Sequence, residues 1–107
     1  MDFETLVGIV EGALASEGHP RVSEHGWIWE KEVRGAVNQV SVVEGPARIG
    51  ETFAEHFLCR LIHWRFTLTE LGERRLARTQ PPQRTIDRTA DDGAVIGVIK
   101  EMLEASE

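Results

Sequence analysis

The 107-residue chain holds one cysteine, Cys59, and no tyrosine. A single thiol cannot close an intrachain disulfide, so the cysteine content gives no sign of secretion. The sequence contains no apolar run approaching the ~18 residues that a membrane span requires. Its first residues lack the basic-then-apolar pattern of a signal peptide. A cytoplasmic protein with no membrane partner is the expectation. Catalytic patterns are missing as well. No Ser-His-Asp arrangement is legible, and Gly45-Pro46-Ala47-Arg48-Ile49-Gly50 lacks the lysine and following hydroxyl residue of a phosphate-binding loop. The acids are scattered along helix faces, where they solvate the surface, instead of being paired for proton transfer. Neither an enzyme nor a cofactor is expected.

The chain does carry the composition of a globular domain. Its length suits one domain with one core, residues 1–107, and 41% hydrophobic content with 28% charged is ordinary for a folded chain. The net charge of −6 conceals a polarity. Residues 1–64 hold five basic and ten acidic groups, residues 65–90 six arginines against three acids, and residues 91–107 one lysine against five acids. A positive segment inside an acidic chain can guide a polyanion to one face, or it can pair with the chain's own carboxylates.

Local signals divide the chain into elements. Asp2 is suited to cap a helix whose stop is Gly18 before His19-Pro20. Within it Phe3, Val7, Val10 and Leu14 fall within about 60° of one another at helical spacing, a core-facing stripe. Gly8 and Gly12 would let a neighbouring element approach closely. Residues 27–44 satisfy two patterns. As strands they form a hairpin turning at Arg34-Gly35; as a helix, Trp29, Val33, Ala36, Val37, Val40 and Val43 keep helical spacing. Valine density and the central glycine favour strands. A long middle helix is expected over residues 49–63, burying Phe53, Ala54, Phe57, Leu58, Leu61 and Ile62, and leading into a strand at 65–68. A short helix with Leu71 and Leu76 as anchors is expected at 71–78. The prolines Pro81-Pro82 mark 79–90 as a linker or extended arm. A last helix at 91–105 carries Val95, Val98, Ile99, Met102 and Leu103 on one stripe. The fold class is therefore a small α+β domain.

Two constellations could carry function. His56, Cys59 and His63 cluster on one side of the expected middle helix and are suitable zinc donors. Three ligands in this order fall short of a structural zinc site, however, so a partly polar helix face is favoured and no metal is assigned. The second is the string Arg65–Phe66–Thr67–Leu68–Thr69–Glu70–Leu71–Gly72 running into Arg74 and Arg75. Over residues 65–77, this strand, turn and basic segment resemble the second wing strand and following helix of winged helix-turn-helix DNA-binding domains.

That resemblance implies a winged-helix-like fold and a transcriptional regulator that binds double-stranded DNA. The 49–63 helix would take the recognition position, with Arg48, Thr52, Glu55, His56 and Arg60 facing the groove, and Arg65, Arg74, Arg75 and Arg78 would hold phosphates. The terminal helix would form a homodimer. The alternative, of a different class, is a small acidic interaction or inhibitor protein. It would dock its acidic portions on the basic surface of a nucleic-acid-binding protein.

Overall fold

The computed structural model describes residues 1–23, 26–44, 57–77 and 82–104. Five strands form one antiparallel sheet, and two helices lie on one of its faces. The elements are α1 (Phe3–Ser16), β1 (Ile28–Val33), β2 (Ala36–Glu44), β3 (Phe57–Leu68), β4 (Arg74–Leu76), β5 (Gln83–Asp87) and α2 (Asp92–Glu104).

Each helix begins where a side chain supplies the missing acceptor. Asp2 Oδ1 takes the Thr5 N–H at 2.8 Å, and Asp91 Oδ1 takes that of Ala94 at 2.8 Å. Helix α1 stops because Gly18 adopts φ +81°, which brings the Gly18 and His19 amides back onto the carbonyls of Ala15 and Leu14. A side chain at Gly18 would also press on Lys31, whose Cε and Nζ lie 3.3 Å from the position that its Cβ would take. The helices run in parallel. The Met1 ammonium donates to the Arg88 carbonyl just before α2, while Glu17 at the end of α1 shares a recess with Leu103 and Glu104 at the end of α2.

The 27–44 region is a hairpin. Arg34 and Gly35 both take positive φ, 50° and 78°, the mirror-image turn that matches strand twist in a two-residue loop. Strand β2 pairs with β1 on one side and with β3 along Ala36–Glu44 on the other. The other flank of β3 is shared. Strand β4 pairs with Phe66, Thr67 and Leu68, and β5 with the segment from Phe57 to Ile62. Between them, Ala77 N donates to Arg65 O and His63 N to Pro82 O. Strands β4 and β5 thus serve as one interrupted partner. On the opposite edge, residues 20–22 run along β1, with Val22 N donating to Ile28 O and Glu30 N to Pro20 O, so that edge is partly covered.

Alternation along the strands sends Trp29, Val40, Val42, Cys59, Leu61 and Ile86 beneath the helices, where they meet Leu6, Val10, Leu14, Val95, Ile99 and Met102. Trp27 extends this core, its ring edge-to-face with Phe3 at 4.8 Å. Of the stripes read from the sequence, Val10 and Leu14 on α1 and Val95, Ile99 and Met102 on α2 are buried. Phe3, Val7, Val98 and Leu103 are half-buried, and Leu6 beside the α1 stripe is fully buried. Gly8 and Gly12 differ from expectation, because no atom within 4 Å would meet a Cβ at either position. The stripe of α2 docks on the body and completes the chain's own core, with Val95, Ile99 and Met102 at 0–3% exposure.

Three expected elements are replaced. From Phe57 onward the expected 49–63 helix is strand; residues 49–56, with Phe53 and Ala54, lie outside the described residues. The apolar run fits either period, and hydrogen-bond partners on both flanks decide for the strand. The expected 71–78 helix is instead a turn followed by β4. Gly72 takes φ +82°, Thr69 Oγ1 accepts from Glu73 N, and Leu71 and Leu76 are 88% and 54% exposed, so neither is an anchor. The 79–90 linker contains β5, whose Ile86 enters the core. The α+β class holds, but its middle is sheet.

Trp29 is fully buried, and its indole spans the junction of the sheet with the helix layer. Trp29→Ala should lower unfolding stability by about 3–5 kcal/mol, read from the urea midpoint.

Candidate functional site

Strand alternation decides where each candidate residue lies. Arg48, Thr52, Glu55, His56 and Arg78 lie outside the described residues. By register, Arg60 and Arg74 are on the open face of the sheet. Arg65 and Arg75 belong to the face that carries the helices, where Arg65 sits opposite Asn38 and Arg75 opposite Thr67. The basic corner read from the sequence is therefore divided between the two sides of the sheet.

On the open face the arginines have partners within the chain. Arg74 passes over the Phe66 ring, with Cζ 5.8 Å from its centroid, and grips Glu30 of β1 through both nitrogens at 2.7 and 2.8 Å. Gln39 donates to the same carboxylate. The Arg74 hydrogen bond comes first among the causes that hold the Glu30 carboxyl below its ordinary range, and it outweighs burial. Arg60 donates to Gln83 Oε1 at 3.3 Å. Beneath the Arg74 strap, Trp64 and Phe66 stack 6.4 Å apart at 13°, continuing the apolar strip of Val37 and Ile62.

The suggested zinc donors are not brought together. Cys59 and His63 stand four residues apart on a strand, ~13 Å along its axis, too far to share one ion. Both are core residues, 0% and 1% exposed, and no metal-holding cluster occurs among the described residues. Burial pushes the Cys59 thiol up to about 12, which leaves it protonated and unreactive.

The helix layer has a different electrostatic character. Asp2, Glu4, Glu11, Glu17, Asp91, Asp92, Glu101 and Glu104 are all exposed on the two helices or their ends. Lys100 is the one cation that the helices themselves carry. Asp2, Glu4, Asp91 and Asp92 suit the positive helix starts, but Glu17, Glu101 and Glu104 crowd the negative ends, and neither last turn holds a basic residue. Between the helices runs a groove lined by Gly12, Ala13, Ser16, Ile96, Ile99 and Lys100. Arg84 reaches this layer from β5, 3.7 Å from Glu101.

A third feature lies where the helices end. Lys31, Asn38 and Arg65 form one cross-strand row on the helix side of the sheet, the next row out from Trp29, Val40 and His63. Together with Glu17, His19, Val33, Arg34 and Leu103 they line a recess of about 380 Å³. Burial is the main cause that holds the His19 imidazole below its ordinary range, despite its bond to the Glu17 carbonyl. Sequence reading missed this row because only register unites residues so far apart. The available signal was polar residues at inward positions, Lys31 two after Trp29 and Asn38 two before Val40.

These protonation states have measurable consequences. A depressed pKa in the folded state means that protonation opposes folding, so stability falls as pH falls. His19 should begin to withdraw its contribution below its ordinary value of 6.5, and Glu30 below 4.5. Melting temperature should decline across both windows, with His19→Gln flattening the upper one and Glu30→Gln reducing the lower, where Asp2 also contributes. Cys59 should resist a thiol reagent in the native protein and react at once in denaturant. Comparison with protein-family models, curated proteins and solved structures returns no match to this chain.

Proposed function

We propose that the protein is a non-enzymatic interaction module whose helix layer docks on a basic surface of a protein partner. The carrying observation is the carboxylate layer itself, eight exposed acids with a single lysine on two parallel helices. Stability alone does not favour this sequence. Acids at helix C-terminal ends typically cost ~0.3–1 kcal/mol each, and interior glycines up to ~1 kcal/mol. Gly8, Gly12 and Gly97 face open space within the chain, so internal packing does not account for them. Local rules are broken together on one surface, as happens where a surface is kept for contact. The glycines and the groove between the helices would let cationic side chains approach the helix backbones, and charge complementarity names the partner as basic.

The duplex-DNA reading, with its winged form, has less to support it. The basic corner is divided between faces, Arg74 is engaged by Glu30, and the described part of the recognition segment is strand. Arg75 remains exposed and is the residue on which that reading would rest.

The test titrates the isotopically labelled full chain with poly-L-lysine and, separately, with duplex DNA at low salt. Amide shifts confined to α1, α2 and their groove are expected with the polycation. Affinity should fall roughly tenfold in the Glu11→Lys/Glu101→Lys double variant, and no duplex binding is expected. Shifts spread evenly over every surface acid would overturn the proposal. So would duplex binding that is lost with Arg75→Ala.

A further inference from the structure

The recess at the helix ends shares Glu17 with the acidic layer but is opposite to it in charge. Its floor is the cross-strand row Lys31, Asn38, Arg65. Neighbouring strands lie ~4.8 Å apart, so the two cations stand about 10 Å apart at their backbones with the Asn38 amide midway. Side chains of this length can converge on one group above Asn38. Arg34, projected by the hairpin turn, adds a third cation at the rim.

Some of this charge already serves the fold. Lys31 Nζ donates to the Glu17 carbonyl at 3.2 Å and so closes the end of α1. Arg65 too has a partner within the chain, but an ammonium has three donors and a guanidinium five, so capacity remains after such bonds. Glu17 and the carbonyl ends of two helices oppose an anion, at roughly half a charge per helix end, yet three cations still outweigh them. The lining also holds unmet polar atoms. The buried Asn38 Oδ1 has no partner, whereas His19, whose Nδ1 donates to the Glu17 carbonyl, presents only an acceptor at Nε2 and takes no part in holding an anion. Buried groups of this kind ask for an explanation, and a bound polar group is one. The oxygen and nitrogen of Asn38 can exchange by a flip of the amide, which would turn its NH₂ donors to an anion.

We propose that this recess binds a small oxyanion of the phosphate class. Lys31 and Arg65 supply the charge from either side, Asn38 donates from beneath, and Arg34 closes over the outer oxygens. A phosphoryl group carries about −1.5 to −2 at neutral pH, set against an excess of about one positive charge in the lining once Glu17 and the two helix ends are counted. Val33 and Leu103 form an apolar wall beside the cations. The recess therefore has room for an organic substituent, so free phosphate and a phosphomonoester share the chemistry it would recognise.

The experiment titrates the full chain with inorganic phosphate and with glycerol 3-phosphate at constant ionic strength, following backbone amides by NMR. Saturable shifts at Lys31, Arg34, Asn38 and Arg65 are expected. Tighter binding of the ester would name a phosphorylated small molecule as the ligand, and tighter binding of inorganic phosphate would name the free ion. Arg34→Asn keeps a residue that tolerates the left-handed turn, and Asn38→Asp places a carboxylate in the floor. Each should weaken binding at least fivefold while circular dichroism and melting show a folded chain. No saturation with either probe, shifts dispersed over the arginines of both sheet faces, or affinity unchanged in both variants would overturn the proposal.

Discussion

Strand β3 must be shared on both flanks along its twelve residues, and most of the molecule is arranged to meet that demand. One flank takes β2 through nine consecutive residue pairs. The other takes β4 and β5 in succession, with single hydrogen bonds from Ala77 and to Pro82 filling the gap between them. A strand this long exposes many amide and carbonyl groups, and leaving them unpaired inside a fold would cost more than any local preference for helix could return. Pairing then fixes alternation, and alternation separates the two faces. Cys59, Leu61 and His63 go beneath the helices, while Arg60, Ile62, Trp64 and Phe66 go to the other side.

The same alternation explains how much could be read beforehand. Helices α1 and α2 were legible because their signals are local, with Asp2 and Asp91 at the starts and a stripe every three or four residues. The hairpin was legible through Arg34-Gly35, a dipeptide fit for a tight turn. Phe57, Leu58, Leu61 and Ile62, by contrast, satisfy the spacing of either a helix or a buried strand, and their partners are set by distant segments. Leu71 and Leu76 looked like anchors because a leucine is usually worth burying; in the turn and in the short β4 nothing covers them. The candidate site fared worse than the fold. Arginines close in sequence were read as one patch, but neighbours on a strand face opposite ways. The basic recess depended on a row across three strands that no local pattern announces.

The three surfaces answer to different physics. The carboxylate layer acts at a distance and weakens as salt screens it. The open face joins aromatic area to the Arg74–Glu30 pair, a hydrogen-bonded grip partly shielded from solvent by the rings below it. The recess gathers cations against two helix ends, so its potential is a difference between opposing contributions and is sensitive to each. A molecule of net charge −6 thus presents opposite signs on one side of its sheet, the carboxylates along the helices and the cations beyond their ends.

The bond from the Met1 ammonium to the Arg88 carbonyl joins positions 87 apart along the chain, and it stands beside the packing of α1 on α2. Helix α1 thus meets its lateral neighbour across a long stretch of sequence. Until α2 docks, Leu6, Val10 and Leu14 would have only the sheet to cover them, and the sheet itself is completed by β5, which follows its partner β3 in sequence. Ordering elements so distant places a long loop-closure cost ahead of the final gain from burial, which slows folding relative to chains built from nearby contacts. Docking of the two helices on one another is therefore expected among the late events of folding.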